Sequence, residues 1–262
     1  MKAILLYILI VGLCLTGCVS QEYNTATGKQ DIMFISADKE TDMGRRIAEG
    51  IEKNPEIKLD PDPLMTKRVN DIGQKIAFVS DRKEVSYTLR VIDKDDVNAF
   101  ALPGGYVFVF KGLVEKADSD DEVASVIAHE IAHVVARHSI KRLQGGLGYS
   151  ILQILMVVTG AAPGREAANI DAAFGHLAMS YSREDEALAD RIAIKYLKKA
   201  GYDPFAMLSF LEKLQKVNRE QPIRPYSSYR SHPYIADRIR MVKQELTGEI
   251  GFSDYMNKTP EY

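Results

Sequence analysis

The 262 residues are 46% hydrophobic and 27% charged, with a formal charge of −2. That is enough apolar material for one domain with a sizeable core, and no internal repeat or low-complexity tract asks for more. The charge balance excludes the basic footprint of a nucleic-acid binder, and two cysteines, Cys14 and Cys18, are too few for a disulfide scaffold.

Lys2 precedes an apolar stretch from Ala3 to Leu13, followed by Leu15-Thr16-Gly17-Cys18. A positive start, a short apolar region and small residues before the cut describe a secretory signal, too short for an ordinary membrane span. The ending resembles a bacterial lipobox. It implies a signal peptide over residues 1–17, cleavage before Cys18, and lipid on the Cys18 thiol and new amino group; several acyl chains anchor stably where one does not. Cys14 then leaves with the signal, and no intramolecular disulfide remains. Val19 and Ser20 lack the aspartate that in enteric bacteria favours inner-membrane retention, so the expected location is the outer membrane, facing the periplasm. Residues 18–40 read as a lipidated N-terminus and polar tether, and residues 41–262 as the folded domain.

Thr41 to Asn54 and Pro63 to Val79 carry the period of amphipathic helices. Val85 to Ile92 alternates like a strand, and Val97 to Leu102 pairs with Tyr106 to Phe110 as a hairpin through Pro103-Gly104-Gly105. Ser119-Asp120-Asp121-Glu122 reads as a capping box opening a largely buried helix. Leu147 to Ala162 is nearly apolar but only about 24 Å long as a helix, which suits a buried or cleft-covering element better than a membrane span. Gly160 to Arg165 reads as a loop and Glu166 to Ser180 as helix, with His176 in a structural role. Helices are further expected from Ser182 to Gly201, Phe205 to Val217 and Ile235 to Leu246, completing a mainly helical α+β domain.

The capped helix contains His129-Glu130-Ile131-Ala132-His133. Residues four apart lie about 40° apart around a helix, so both imidazoles can reach one metal ion from the same side. The adjacent Glu130 carboxylate can take a proton from water and pass it to a leaving amine. A catalytic zinc normally takes a third protein ligand. His138, the nearest candidate, fails as that ligand, because nine residues beyond His129 it lies roughly half a turn away on the opposite helix face. The elongated metzincin motif fails too, with Ala136 and Ser139 at its glycine and final histidine positions. In Ser182-Arg183-Glu184-Asp185-Glu186-Ala187-Leu188-Ala189-Asp190, Glu186 and Asp190 are four apart, so one can bind metal while the other accepts a ligand histidine's free ring N–H. Ala187 and Ala189 let that helix approach closely. Pro233 favours an extended conformation at His232, which is expected to project from a loop before the final helix.

Four ordered signatures together resemble the HtpX-like zinc metallopeptidases, a gluzincin family that includes the CAAX-prenyl proteases. They are Asn98-Ala99-Phe100-Ala101-Leu102-Pro103-Gly104-Gly105, then HEIAHVVARH as the metal helix, SREDEALAD, and Ser231-His232-Pro233 with Arg238-Ile239. The resemblance runs from about Asp42 to Val242. It implies one zinc ion held by His129, His133 and Glu186, with Glu130 as general base and acid and Asp190 as the partner of a ligand histidine. It places His232 and Arg238 beside the zinc, where His232 stabilises an oxyanion or occupies the open metal position and Arg238 adds charge or braces the loop. It also places a small sheet over the metal helix, one edge facing the cleft, so that Asn98, Ala99 and Phe100 can pair with a substrate strand. The implied function is that of a membrane-anchored endopeptidase acting on unfolded or misassembled envelope proteins, with outer-membrane assembly machinery among its partners. The competing reading is a non-hydrolytic envelope chaperone or assembly factor using the same cleft.

Overall fold

The computed structural model describes residues 20–55, 57–145, 181–220 and 232–248. The signal and Cys18 lie outside the described residues, as do the elements expected between Leu147 and Ser180 and His176. Strands β1 (Ser20–Asn24) and β2 (Lys29–Met33) form an antiparallel hairpin, and helix α1 (Ala37–Lys53) begins four residues before the expected Thr41. The stretch from Gln21 to Glu40, expected as a tether, is therefore ordered in the fold. Its contacts explain why: Asn24 Nδ2 donates to the Val135 carbonyl, Lys141 pairs with Asp31 at 2.8 Å, and Met33 is buried.

Helix α2 (Pro63–Val79) has the expected bounds, because the Asp62 side chain accepts from Leu64 N–H and Pro63 fills a position that needs no donor. The sheet has the order β3-β5-β4, with β3 (Thr88–Ile92) parallel to β5 (Tyr106–Phe110) and β4 (Ala99–Ala101) antiparallel to it. Between β4 and β5, a 3-10 turn at Pro103–Gly105 holds Gly104 at φ 72°, where an added Cβ would meet Thr41 Cα at 2.6 Å; glycine is required on both counts.

Strand β5 is central and buried on both faces, and its period of two divides the core. Val107 and Val109 face α2 and the metal helix, whereas Phe108 and Phe110 face Met43, Ile47 and Ile51 of α1. A short helix, α3 (Lys111–Lys116), leads into the metal helix α4 (Asp120–Val135). The Ser119 side chain accepts from Glu122 N–H as expected, but Glu122 Oε2 accepts from Asp118 N–H, so the capping box is only half made. Helices α6 (Arg183–Ala200), α7 (Phe205–Glu220) and α8 (Ile235–Thr247) enclose α4 from the other side. Ala124, Ala128 and Ala132 of α4 and Ala189 and Ala193 of α6 are all buried, so the two helices meet through small side chains. Ala187, expected to share that role, is only half-buried.

HEIAHVVARH is not one helix. Helix α4 stops at Val135, Arg137 takes a left-handed conformation (φ 57°), and α5 (His138–Gly145) starts afresh. A buried ion cluster holds this corner. Glu40 accepts from Arg82 Nη1 at 2.8 Å and from Arg137 Nε at 2.9 Å, Arg82 also donates to the Val134 carbonyl, and Arg137 reaches Glu22 of the hairpin. Arginine suits both positions because its fork can satisfy several acceptors at once. Among the described residues, no helix is long and apolar enough to cross a membrane.

Removing Glu40 would leave two buried guanidiniums without their shared carboxylate. Glu40→Ala is expected to lower the unfolding free energy by about 3–5 kcal/mol, measured by denaturant titration. A loss below about 1 kcal/mol, the worth of a surface pair, would contradict the role given to this cluster.

Candidate metal centre

Helix α4 presents His129 and His133 toward α6, which supplies Glu186, and His232 enters just ahead of α8; all four side chains are buried. His129 Nε2 lies 3.0 Å from His133 Nε2 and 3.3 Å from His232 Nδ1. Glu186 Oε1 is 3.4 Å from His133 Nε2 and 3.0 Å from His232 Nδ1, and Glu186 Oε2 is 3.4 Å from His129 Nε2. One ligand atom from each of the four residues fits within a 4.8 Å span. A tetrahedral zinc with bonds of about 2.1 Å needs its donors about 3.4 Å apart, so these spacings suit the ion. The donor chemistry agrees, since imidazole nitrogens and one carboxylate oxygen are ordinary zinc ligands.

The outer atoms of these donors are also held. Asp190 Oδ1 lies 2.8 Å from His129 Nδ1, and Arg238 donates to both Asp190 oxygens at 2.6 and 2.9 Å while its Nη1 sits 3.0 Å from Glu186 Oε2. Arg238 is thus buried behind the donors as a brace between two carboxylates. Burial alone would raise the Glu186 carboxyl, but His232, Arg238 and His129 outweigh it and hold it well below the usual carboxylate range. Asp190 is lowered against burial by Arg238 and then by His129. Burial and Arg238 both disfavour charge on His129, yet Asp190 and Glu186 lift it to about 9, whereas burial dominates at His133 and pushes it well below its ordinary value.

Glu130 stands beside the donors and is not one of them. Its Oε1 is 3.3 Å from His232 Nε2, and its buried Oε2 has no hydrogen-bond partner. A small cleft opens beside it, lined by Leu113, Phe210 and Leu214 and by Asn98 and Ala99. Strand β4 is the outer strand of the sheet. Asn98 does more than turn the chain: its side chain accepts from Ala99 N–H and its carbonyl accepts from Phe110 N–H. Phe100 points away from the cleft and stacks on Phe108 at 5.1 Å.

Two residues at the site escaped the sequence reading. His138, set aside because a continuous helix would carry it to the far face, is turned back by Arg137 so that its Nδ1 lies 2.8 Å from His133 Nδ1. Burial pushes His138 down to about 4. Tyr181 stacks on the His133 ring at 3.9 Å, and its hydroxyl shares a hydrogen bond with Ser139. Neither carries a local sequence signal, since a left-handed arginine and a tyrosine just before a helix cap are visible only in the folded chain.

Residues 63–246 match peptidase family M48, more than half of the chain. The chain belongs to that family. It is similar to the beta-barrel assembly-enhancing protease of Escherichia coli (strain K12), 31% identical over 195 residues that cover 68% of this chain and 38% of that protein. It is also similar to the mitochondrial metalloendopeptidase OMA1 of Arabidopsis thaliana, 36% identical over 71% of this chain and 37% of the relative, and to that of Schizosaccharomyces pombe, 31% identical over 69% and 53%. The chain thus spans between about a third and a half of the length of these relatives. M48 peptidases use zinc, and the buried group of His129, His133, Glu186 and His232 can hold it in this member.

Proposed function

We propose that this M48 chain carries a zinc-dependent endopeptidase site in which His129, His133 and Glu186 are the metal ligands and Glu130 is the general base and acid. The observation that carries the reading is a donor set at zinc spacing with a partnerless carboxylate oxygen beside it, facing a cleft. Bound at these donors, zinc supplies Lewis acidity, polarising a carbonyl and making water easier to deprotonate. Glu130 takes the proton from the attacking water and returns it to the leaving amine. Asp190 holds His129 in the tautomer that presents Nε2, and Arg238 keeps Asp190 and Glu186 ionised and in place. Strand β4, an edge strand beside the cleft, suits an extended polypeptide pairing through its main chain; Asn98 and Phe100 turn their backbone groups to β5 in this register, so Ala99 and Ala101 are the residues whose backbone faces outward. A non-hydrolytic chaperone would have no use for a proton-transfer group at the position of Glu130. Glu130→Gln is expected to keep zinc while casein hydrolysis falls to the level seen with chelator, and His133→Ala to lose the metal itself. Equal zinc loss in both, or a chelator-resistant wild type, would contradict the assignment.

His232 Nδ1 lies among the donors, so His232 would hold the remaining position at a bound metal when no substrate is present. His232→Ala is then expected to retain zinc and hydrolyse casein faster than wild type. A tenfold fall would instead assign the imidazole to oxyanion stabilisation, and unchanged turnover would reject both roles.

Unfolded or misassembled envelope polypeptides are the substrates, at an outer membrane facing the periplasm, in contact with outer-membrane assembly machinery. The support is the similarity to the beta-barrel assembly-enhancing protease of Escherichia coli together with the lipobox-like Leu15-Thr16-Gly17-Cys18. Lipid on Cys18 supplies the anchor. Cys18→Ala is expected to abolish lipid labelling and leave the precursor uncut, and undiminished labelling would exclude this anchor.

A further inference from the structure

His138 is outside the donor set, yet its ring is buried with Nδ1 2.8 Å from Nδ1 of His133. Two imidazole nitrogens at that distance are joined by one proton, and the chemistry of the site decides whose it is. If His133 offers Nε2 to a cation, that nitrogen is bare and the ring proton sits on Nδ1. His133 Nδ1–H then donates to His138 Nδ1, which must be bare, so the His138 proton sits on Nε2. That Nε2 is buried without a hydrogen-bond partner, 3.4 Å from Asp185 Oδ1, and the nearby carboxylate's charge favours an N–H over a bare nitrogen on that side. Asp185 is itself fixed, because it belongs to the capping box with Ser182 that opens α6, the helix that supplies Glu186.

The backbone is shaped for this contact. Arg137 takes a left-handed conformation that non-glycine residues rarely adopt, and its guanidinium is tied to Glu40 and Glu22. The turn drops His138 onto the outer edge of His133, while Tyr181 covers the ring face. Each α4 imidazole thereby has its own outer partner: Asp190 for His129 and His138 for His133. A mere space-filler in this core would be apolar, since burying an imidazole carries a polar cost that a leucine avoids.

We propose that His138 is a positioning residue for the metal centre: it accepts the His133 Nδ1 proton and fixes His133 in the tautomer that presents Nε2 to the cation. This inference rests on the zinc reading above. Its test compares zinc affinity, by chelator competition on the full chain, in wild type, His138→Asn and His138→Leu, alongside the thermal midpoints of the metal-free proteins. An asparagine amide oxygen can stand in for Nδ1 as acceptor, whereas leucine keeps bulk and removes the acceptor. The expected result is a zinc affinity about 10- to 100-fold weaker in His138→Leu and largely rescued in His138→Asn, with similar metal-free midpoints. Equal affinity in all three proteins overturns the proposal. Equal weakening in both variants, or weakening that tracks a lowered metal-free midpoint, also overturns it by assigning His138 to packing. A readout on the wild type does not depend on either variant folding: nitrogen NMR of the zinc-loaded chain is expected to show His133 as the Nδ1–H and His138 as the Nε2–H tautomer, and Nδ1–H at His138 overturns the proposal. A wild type that binds no zinc overturns the metal reading and this inference together, whereas normal zinc binding that His138→Leu leaves unchanged overturns this inference alone.

Discussion

Packing of α4 against α6 is the constraint on which the rest of the structure depends, because it brings a buried carboxylate onto two buried imidazoles. Glu186 is fully buried, and His129 and His133 nearly so. Such groups are costly in an apolar core unless every polar atom finds a partner. The buried alanines of the two helices let the backbones approach, and the side chains beyond them meet the outer atoms of the donors: Asp190 and Arg238 behind His129 and Glu186, and His138 behind His133. The inward-facing nitrogens and oxygens are left pointing at one another at spacings that suit a cation. The site is therefore preorganised from outside inward, and its rigidity comes from the same helix contact that creates it.

The elements around this contact keep it in register. The β3-β5-β4 sheet covers one side of α4 and sets β4 along the cleft. Helices α7 and α8 close the other side, and α8 carries Arg238 as the electrostatic link to α6. At the far end of α4 the Glu40, Arg82 and Arg137 cluster joins the N-terminal hairpin, α1 and the last carbonyls of the metal helix. That cluster lies away from the donors, yet it holds the turn that returns His138 to His133. Stability at this corner and order at the metal site are thereby coupled.

Much of this was legible in the sequence where a local rule coincides with the tertiary outcome. Pro63 after Asp62 marks the start of α2, Ser182 and Gly201 bracket α6, and alternation marks β3, because capping, left-handed glycine and the period of two act over a few residues. The spacing of His129, Glu130 and His133, with Glu186 and Asp190 four apart, gave the outline of the donor set for the same reason. The hairpin at residues 20–33 was not legible. Its inner face is closed by Glu22, Asn24 and Asp31 against Arg137, the Val135 carbonyl and Lys141, so polar pairing replaces the apolar alternation that announces a strand. His138 was rightly kept out of the donor set, but it was placed on the far face because the helix was extended through Arg137, and nothing local in an Ala-Arg-His stretch announces a left-handed residue. The role of Arg238 was left open between adding charge and bracing, and only the folded distances to Asp190 and Glu186 decide its placement.

The most direct test of the account is anomalous diffraction at the zinc edge from crystals of the zinc-loaded chain. The account predicts a single strong peak about 2.0–2.2 Å from His129 Nε2, His133 Nε2 and a Glu186 carboxylate oxygen, with Glu130 outside bonding distance. No peak at these residues, or a zinc ion held by a different set of side chains, would contradict it.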